Sequence, residues 1–208
     1  AVEAAQSQHI MSFETDGVRL GTGATVNVNN ASGIIAWGFK AGGTPSSSAL
    51  SLVSGVGAGT IANGASGVTN LTSLTQTVNQ TSGYSITKFE GHSSGGAFPH
   101  NLGGTPAFII VKNIDAAQNW TVWHQNLTAT SDYHLVLNTD VAEQGNAAIY
   151  PDPPTSTLIK CGTAANNGGQ AVTIMCYAWK AVAGVSAFGT YTGNGGGGAG
   201  TNTITYTG

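Results

Sequence analysis

The stretch AFIIVKNIDAAQNWTVWHQNL, residues 107–127, sets the expectation for the fold. Its first part contains the unbroken apolar run Ile109–Val111, which predicts a strand covered on both faces. After a polar turn, Trp120, Val122 and His124 alternate with their neighbours, as in a half-exposed strand. Two short strands joined by a polar turn are typical of an antiparallel sheet.

Stretches of this kind recur along the chain, each short, apolar or alternating, and bounded by Gly, Asn, Asp or Pro. Besides the strands within 107–113 and 120–127, they predict strands at 17–21, 24–29, 33–41, 84–91, 133–139, 156–162, 171–181, 186–193 and 202–208. The 31 glycines and the abundant Ser, Thr and Asn disfavour helices, because Gly costs backbone entropy and the others compete for backbone hydrogen bonds. We therefore expect an all-β chain with little helix, folded as an antiparallel β-sandwich of the jelly-roll or concanavalin-like type.

The charge of the chain restricts its partners. The formal net charge is -3 and Lys and Arg together number 6, so no basic patch can neutralise a run of phosphates, and we expect no nucleic-acid partner. No apolar run approaches the roughly 18–20 residues of a membrane span, so we expect no membrane insertion.

The cysteines, Cys161 and Cys176, lie in two strand-like stretches. Two cysteines in 208 residues do not form a disulfide framework, so free, buried thiols are the favoured interpretation. A bridge between neighbouring strands is the alternative. A zinc site is disfavoured, because neither cysteine has a CxxC partner or a histidine within a few residues.

The sequence also contains an internal repeat. GIIAWGFKAGG, residues 33–43, aligns with TIMCYAWKAVAG, residues 173–184. The matched pairs include Trp37 with Tyr177, Phe39 with Trp179, and Lys40 with Lys180. A second echo joins SGYSITKFEG, residues 82–91, to AGVSAFGTYTG, residues 183–193, with one inserted residue.

These echoes suggest how the chain is divided. We expect the end of a preceding β repeat at 1–43, a Ser/Gly/Thr-rich arm or linker at 44–82, a complete β-sandwich repeat at 83–183, and the start of a following repeat at 184–208. The last part would pack on the same or a neighbouring sandwich. Exposed strand edges at both ends would favour self-association.

The same stretches carry a resemblance to a known family. SFETDGVRLGTG, PHNLGGTPAFIIVKN and YAWKAVAGVSAFGTYTGNG resemble the repeated β module of marine bacteriophage (cyanophage- and pelagiphage-type) virion and tail-fibre-like proteins. In that family the module often follows laminin-G or concanavalin-like domains. The resemblance implies a virion location, a structural or host-attachment role in an oligomer, and partners among virion proteins or host-surface polysaccharide. It implies no catalytic residues.

Two glycine-rich motifs imitate those of enzymes. GHSSGG, residues 91–96, fits the pattern that seats a nucleophilic serine, here Ser93, between a strand and a helix. The Gly- and Pro-containing residues that follow cannot start a helix, so we expect an inter-strand loop. GNGGGG, residues 193–198, has the spacing of a dinucleotide fingerprint but precedes a predicted strand, so we interpret it as a hairpin loop.

Candidate ligand contacts are aromatic. Trp123, Tyr133 and Tyr150 are candidates for a platform that stacks on the rings of a glycan. Core packing is the competing role for such residues.

Metal binding has weaker support. Asp140, Glu143 and Asp152, with nearby carbonyls, are calcium candidates. Asp132 and His134 could share one face of a strand, with His124 on a neighbouring strand, but no second pair lies at ligand spacing, so ordinary polar residues are the favoured interpretation. We expect no other cofactor.

The favoured function is therefore a non-enzymatic structural and adhesive module of a phage virion, in a tail fibre or spike, with host-surface glycan recognition. A capsid decoration protein or another self-assembling coat protein is an alternative. A polysaccharide-degrading hydrolase is a further alternative, but it would need two facing carboxylates, and nothing in the sequence selects such a pair.

Overall fold

The computed structural model describes residues 9–14, 17–23 and 37–193. Within these ranges the chain consists of strands, turns and loops. They provide no long apolar helix of the kind that spans a membrane. The strands are β1 (Ile10–Phe13), β2 (Val18–Leu20), β3 (Val56–Ile61), β4 (Thr72–Asn79), β5 (Tyr84–Glu90), β6 (Gly96–Pro99), β7 (Phe108–Asn113), β8 (Thr121–His124), β9 (Tyr133–Val136), β10 (Gln144–Gly145), β11 (Leu158–Cys161) and β12 (Thr173–Trp179).

Eight antiparallel strands form the main sheet, in the order β10-β9-β8-β7-β12-β5-β4-β3. Near its centre, β12 pairs along its whole length with β5, from Thr173 opposite Glu90 to Trp179 opposite Tyr84. On its other side β12 pairs with β7, which pairs in turn with β8. The two strands predicted within 107–127 are therefore neighbours in one antiparallel sheet, as expected.

One face of the main sheet, called here the inner face, packs on the hydrophobic core. Successive side chains of β12 point to opposite faces, so Ile174, Cys176 and Ala178 all point inward and are buried. The antiparallel pair β6 and β11, with its flanking loops, forms the second layer. The two layers meet where the rings of Phe89 and Phe98 lie 5.2 Å apart between centroids. The prediction of an all-β antiparallel sandwich is confirmed.

Residues 44–82 supply two strands of the main sheet, which corrects the expected arm or linker. β4 lies between β3 and β5, and Leu74, Gln76 and Val78 alternate inward along it and are buried. The alternation is hard to recognise in the sequence, because one inward position is the polar Gln76 and the flanking residues are mostly Ser, Thr and Gly.

The two ends of the chain are described only in part. β1 and β2 form a separate two-stranded antiparallel sheet. The strands predicted at 24–29 and 202–208 lie outside the described residues. Residues 37–41 and 186–193 contain no strand, where the sequence predicts strands. The division into parts of neighbouring repeats stays a prediction.

Both cysteines are free and buried. Cys161 lies in β11 and Cys176 in β12. Burial raises the pKa of both thiols, so each stays protonated at neutral pH and is a poor nucleophile. The favoured interpretation of two free, buried thiols is confirmed.

This burial predicts slow thiol chemistry. We expect Cys161 and Cys176 to react with a water-soluble disulfide reagent at least roughly a thousandfold more slowly in the folded protein than after denaturation, because labelling needs an opening of the core. The release of the coloured thiol measures the rate. As a control, Ser93→Cys places a thiol in an exposed turn and should react at once. Fast labelling of either native cysteine would contradict the buried positions.

Candidate functional site

Two of the three predicted glycan-contact residues lie in the core. Trp123 is buried, and its Nε1 donates to the carbonyl of Thr130 at 2.8 Å. Tyr150 is also buried, and its hydroxyl donates to the carbonyl of Thr121 at 3.4 Å. Because the polar end of each ring has a protein partner and each ring is covered, neither offers a face to a sugar. Tyr133 is half-buried and packs against the core cluster.

The calcium candidates have other partners. Asp152 forms an ion pair with Lys160 at 2.7 Å, and Glu143 accepts hydrogen bonds from the hydroxyl and the backbone N–H of Thr128. These bonds lower the pKa of Glu143. Asp140 is exposed. In the described ranges, no three His, Cys, Asp or Glu side chains lie close enough to hold a metal ion. Calcium binding stays a prediction.

The GHSSGG motif forms a turn between β5 and β6. The backbone N–H of Ser93 donates to Oε1 of Gln170 at 3.1 Å, and that of Ser94 donates to Nδ1 of His92 at 3.1 Å. Since strand β6 follows at Gly96, the motif lacks the helix that a nucleophile elbow requires. The predicted inter-strand loop is confirmed. Of GNGGGG, all but its first residue lies outside the described residues.

An aromatic cluster lies on the outer face of the main sheet, opposite the core. Tyr84 and Trp179 stack with ring centroids 4.8 Å apart. Phe108 lies 5.4 Å from Trp179 and stacks on Phe188 at 5.8 Å. Phe39 lies 5.2 Å from Tyr84 and 5.3 Å from Trp179. Rings at these separations attract one another, so they hold two non-strand segments, around Phe39 and Phe188, against the sheet.

The aromatic groove lies between these two segments and has a volume of about 430 Å³. Its lining consists of Trp37, Phe39, Phe108, Ile110, Trp179 and the stretch 185–188. None of these side chains is charged, so the groove suits an apolar partner.

Hydrogen bonds fix both walls of the aromatic groove. The carbonyl of Lys40 accepts from Ser82 Oγ at 2.9 Å and from Asn79 Nδ2 at 3.3 Å. On the other wall, Gln125 Nε2 donates to the carbonyl of Phe188 at 2.9 Å. The walls are therefore anchored to the turn after β4 and to the end of β8.

Large apolar side chains remain exposed at this groove. Trp37 is 79% exposed and Phe39 is 52% exposed. Exposed apolar surface at a groove is common at interaction sites of proteins in general. In the internal repeat, these two residues are the counterparts of Tyr177 and Trp179 in β12, and 185–188 belongs to the counterpart of β5. The groove walls thus repeat two strands that pair in the main sheet.

The local sequence does not mark Trp37 and Phe39 as surface residues. Their stretch predicts a strand, and in its counterpart β12 the aromatic Trp179 is largely covered. The internal repeat could have indicated their exposure, because β5 and β12 already occupy the centre of the sheet and the repeated segments must lie elsewhere.

A family model described as a domain of unknown function (DUF7483) matches residues 1–208. No curated protein and no solved structure matches the chain. The range matched by the family model includes every described strand and both walls of the aromatic groove.

Proposed function

The chain belongs to the DUF7483 family of unknown function, and we propose that it is a non-enzymatic structural and adhesive module of a bacteriophage virion, in a tail fibre or spike. The sequence resemblance to repeated β modules of phage virion proteins supports the setting. An exposed apolar groove on a β-sandwich whose chain has only 7% charged residues supports the structural part, since such surface is used in assembly.

The observation that carries the proposal is the origin of the groove walls. Residues 37–40 and 185–188 repeat parts of β12 and β5, and β12 and β5 pair at the centre of the main sheet. A chain with two segments that repeat two pairing strands can offer each segment to the other segment of another copy. The occupant of the aromatic groove is therefore a second copy of this chain.

The pairing of β12 with β5 predicts the register of this contact. Trp179 lies opposite Tyr84, and their repeat counterparts are Phe39 and Val185. Phe39 of one copy would thus lie opposite Val185 of the next. A contact between two different surface patches joins copies head to tail, and it propagates if the rotation does not close a ring. That geometry suits a fibre.

Electron microscopy of the phage particle that carries this chain, labelled with an antibody against it, tests the virion setting. We expect the label on tail fibres or spikes. Label over the head would favour the capsid decoration protein instead. A particle without label, under conditions in which the antibody binds the purified chain, would contradict a virion role.

Replacing Trp37 with Ser should weaken self-association about tenfold, because an exposed aromatic anchor of an interface typically contributes more than 1 kcal/mol. Light scattering over a concentration series measures the association. Since Trp37 is 79% exposed in the single chain, Trp37→Ser should leave the free energy of unfolding of that chain unchanged.

The matched control is Val53→Ser. Val53 is 76% exposed but does not line the aromatic groove. We expect its association to equal that of the unchanged chain. An equal effect of both substitutions, or none from Trp37→Ser, would contradict the assignment of the groove to the contact between copies.

A further inference from the structure

A second groove, of about 570 Å³, lies between the β4–β5 turn, the loop after β6 and the loop before β11. We call it the amide groove after two side chains in its wall, Gln80 and Asn101. Ser66, Ser156, Thr157 and Leu158 also line it. Its lining is uncharged, and it combines hydroxyl and amide groups with the apolar surface of Leu158. The aromatic groove shares none of these residues.

The orientation of the amides follows from their carbonyl partners. Of the two ends of an amide side chain, only the NH₂ can donate to a carbonyl, and Gln76 Nε2 lies 2.8 Å from the carbonyl of Pro99. Gln76 Oε1 therefore accepts from Asn101 Nδ2, at 2.7 Å. In the same way, Gln80 Nε2 donates to the carbonyl of Asn101 at 2.8 Å. The NH₂ groups of Gln80 and Asn101 are thus engaged within the protein.

The opposite ends of these two amides remain available. No donor in the described ranges contacts Asn101 Oδ1 or Gln80 Oε1. Two residues that line the amide groove therefore each carry an acceptor oxygen without a donor in the described ranges. The hydroxyls of Ser66, Ser156 and Thr157 add groups that can both donate and accept.

The groove is held in shape before any ligand arrives. Gln76, which anchors Asn101, is fully buried and also donates to Thr87 Oγ1 at 2.8 Å. Asn101 has a φ of 56° and Gly103 a φ of 69°, the left-handed conformation that Asn and Gly tolerate best. A Cβ at Gly103 would lie 3.3 Å from the amide carbon of Gln80. Because these acceptors are already held in place, little side-chain entropy is lost when a ligand binds.

From this geometry we infer that the amide groove binds a neutral sugar unit of a surface glycan. Sugar hydroxyls would donate to Asn101 Oδ1 and Gln80 Oε1 and exchange hydrogen bonds with the hydroxyls of Ser156 and Thr157, while an apolar C–H face packs on Leu158. An anionic ligand is disfavoured, because none of the described residues that line the groove is cationic. This inference rests on the adhesive part of the proposed function and names its ligand class.

A shallow site without a metal or a charge binds weakly when alone. We expect a Kd on the order of 1 mM for a single sugar unit, which repeated copies in a fibre would raise to useful avidity. The two grooves therefore serve different steps, one joining copies and the other holding the glycan.

Nuclear magnetic resonance of the isotope-labelled full chain tests the inference, with maltose, lactose and chitobiose as neutral probes. We expect at least one of them to shift the side-chain amide signals of Asn101 and Gln80 in a saturable way. The signal of the Trp37 indole should stay unchanged, which separates glycan binding from self-association.

Asn101→Gly should reduce the sugar affinity at least about tenfold, since it removes one acceptor while keeping a residue that tolerates the left-handed backbone. The matched control is Asn70→Gly, because Asn70 also has a left-handed φ of 60° but lies outside the amide groove. Its affinity should equal that of the unchanged chain. Thermal unfolding of both variants checks that each keeps its fold. If Asn101→Gly does not fold, Ser156→Ala tests the same groove.

Several results would overturn the inference: no shift with any neutral sugar, a shift confined to the aromatic groove, tighter binding of sialic acid than of neutral sugars, or binding that requires added Ca²⁺. Its failure is distinguishable from failure of the proposed function. If the antibody labels the tail but the chain binds no sugar, only the glycan site is refuted. If the chain binds sugar but is absent from the particle, the virion role is refuted and the glycan site is supported.

Discussion

Replacing Leu74 with Ala should lower the free energy of unfolding by about 3 kcal/mol, within the range of about 2–5 kcal/mol typical of buried Leu-to-Ala substitutions. Leu74 is 1% exposed and belongs to the core cluster between the two layers. Its strand, β4, lies between β3 and β5, so a cavity there weakens the packing of this part of the sheet on the core. Urea unfolding followed by tryptophan fluorescence measures the change.

A matched pair of substitutions gives the control. Val78 is fully buried in β4, whereas Val53 is 76% exposed in the same part of the chain. We expect Val78→Ala to cost about 2 kcal/mol and Val53→Ala to stay within about 0.5 kcal/mol of zero. If Leu74→Ala and Val78→Ala were as harmless as Val53→Ala, residues 44–82 would be a loose arm after all.

Acid should destabilise the fold through His100. This side chain is fully buried; its Nδ1 accepts from the backbone N–H of Leu102, and its Nε2 donates to the carbonyl of Thr155, each at 3.2 Å. The bond that Nδ1 accepts requires the neutral ring, because a protonated Nδ1 can only donate. The pKa of His100 is lowered from its ordinary value of 6.5 to about 4, mainly by burial; the bond to the carbonyl of Thr155 acts in the opposite direction, and the charge of Lys180 adds to the lowering.

The sign of the effect follows from this shift. Because the unfolded chain binds a proton near the ordinary value and the folded chain only near pH 4, stability is fully present above pH 6.5 and is lost as the pH falls from 6.5 to about 4. A pKa shift of this size corresponds to a loss of about 3 kcal/mol in the free energy of unfolding. Burial also lowers the pKa of His124 and of His134, which adds to the loss in the same direction.

Unfolding free energies measured by urea between neutral pH and pH 4 test this prediction. His100→Gln should be less stable at neutral pH but should lose about 3 kcal/mol less on acidification than the unchanged chain. His92→Gln is the control, since His92 lies in the turn after β5, and we expect it to keep the full pH dependence. An unchanged slope in His100→Gln would contradict the role of His100.

The parts of the fold with continuous apolar or aromatic strands were predictable from the sequence. The stretch 107–127 gives β7 and β8, and the stretch 171–181 contains β12. By contrast, the sequence does not predict β4, because its inward Gln76 is of a residue type that usually lies on the surface. Gln76 is buried only because Thr87, the carbonyl of Pro99 and Asn101 satisfy its amide. Such partners are distant in the sequence, so local periodicity cannot reveal them.

The candidate sites were less predictable than the fold. Trp123 and Tyr150 are candidates by residue type, yet their exposure depends on which face of the sheet the second layer covers. Alternation along a strand separates two faces but does not say which one is covered. The positions of the exposed Phe39 and the left-handed Asn101 are likewise set by contacts across the fold, in one case with β5 and β12 and in the other with Gln76.

Sedimentation velocity of the unchanged chain, from about 1 μM to about 100 μM, tests most directly the claim that copies associate through the aromatic groove. We predict that the mean sedimentation coefficient rises with concentration and that Trp37→Ser suppresses the rise. A folded chain that sediments as a monomer over the whole range would contradict that claim, since the two repeated segments would then be satisfied within a single copy.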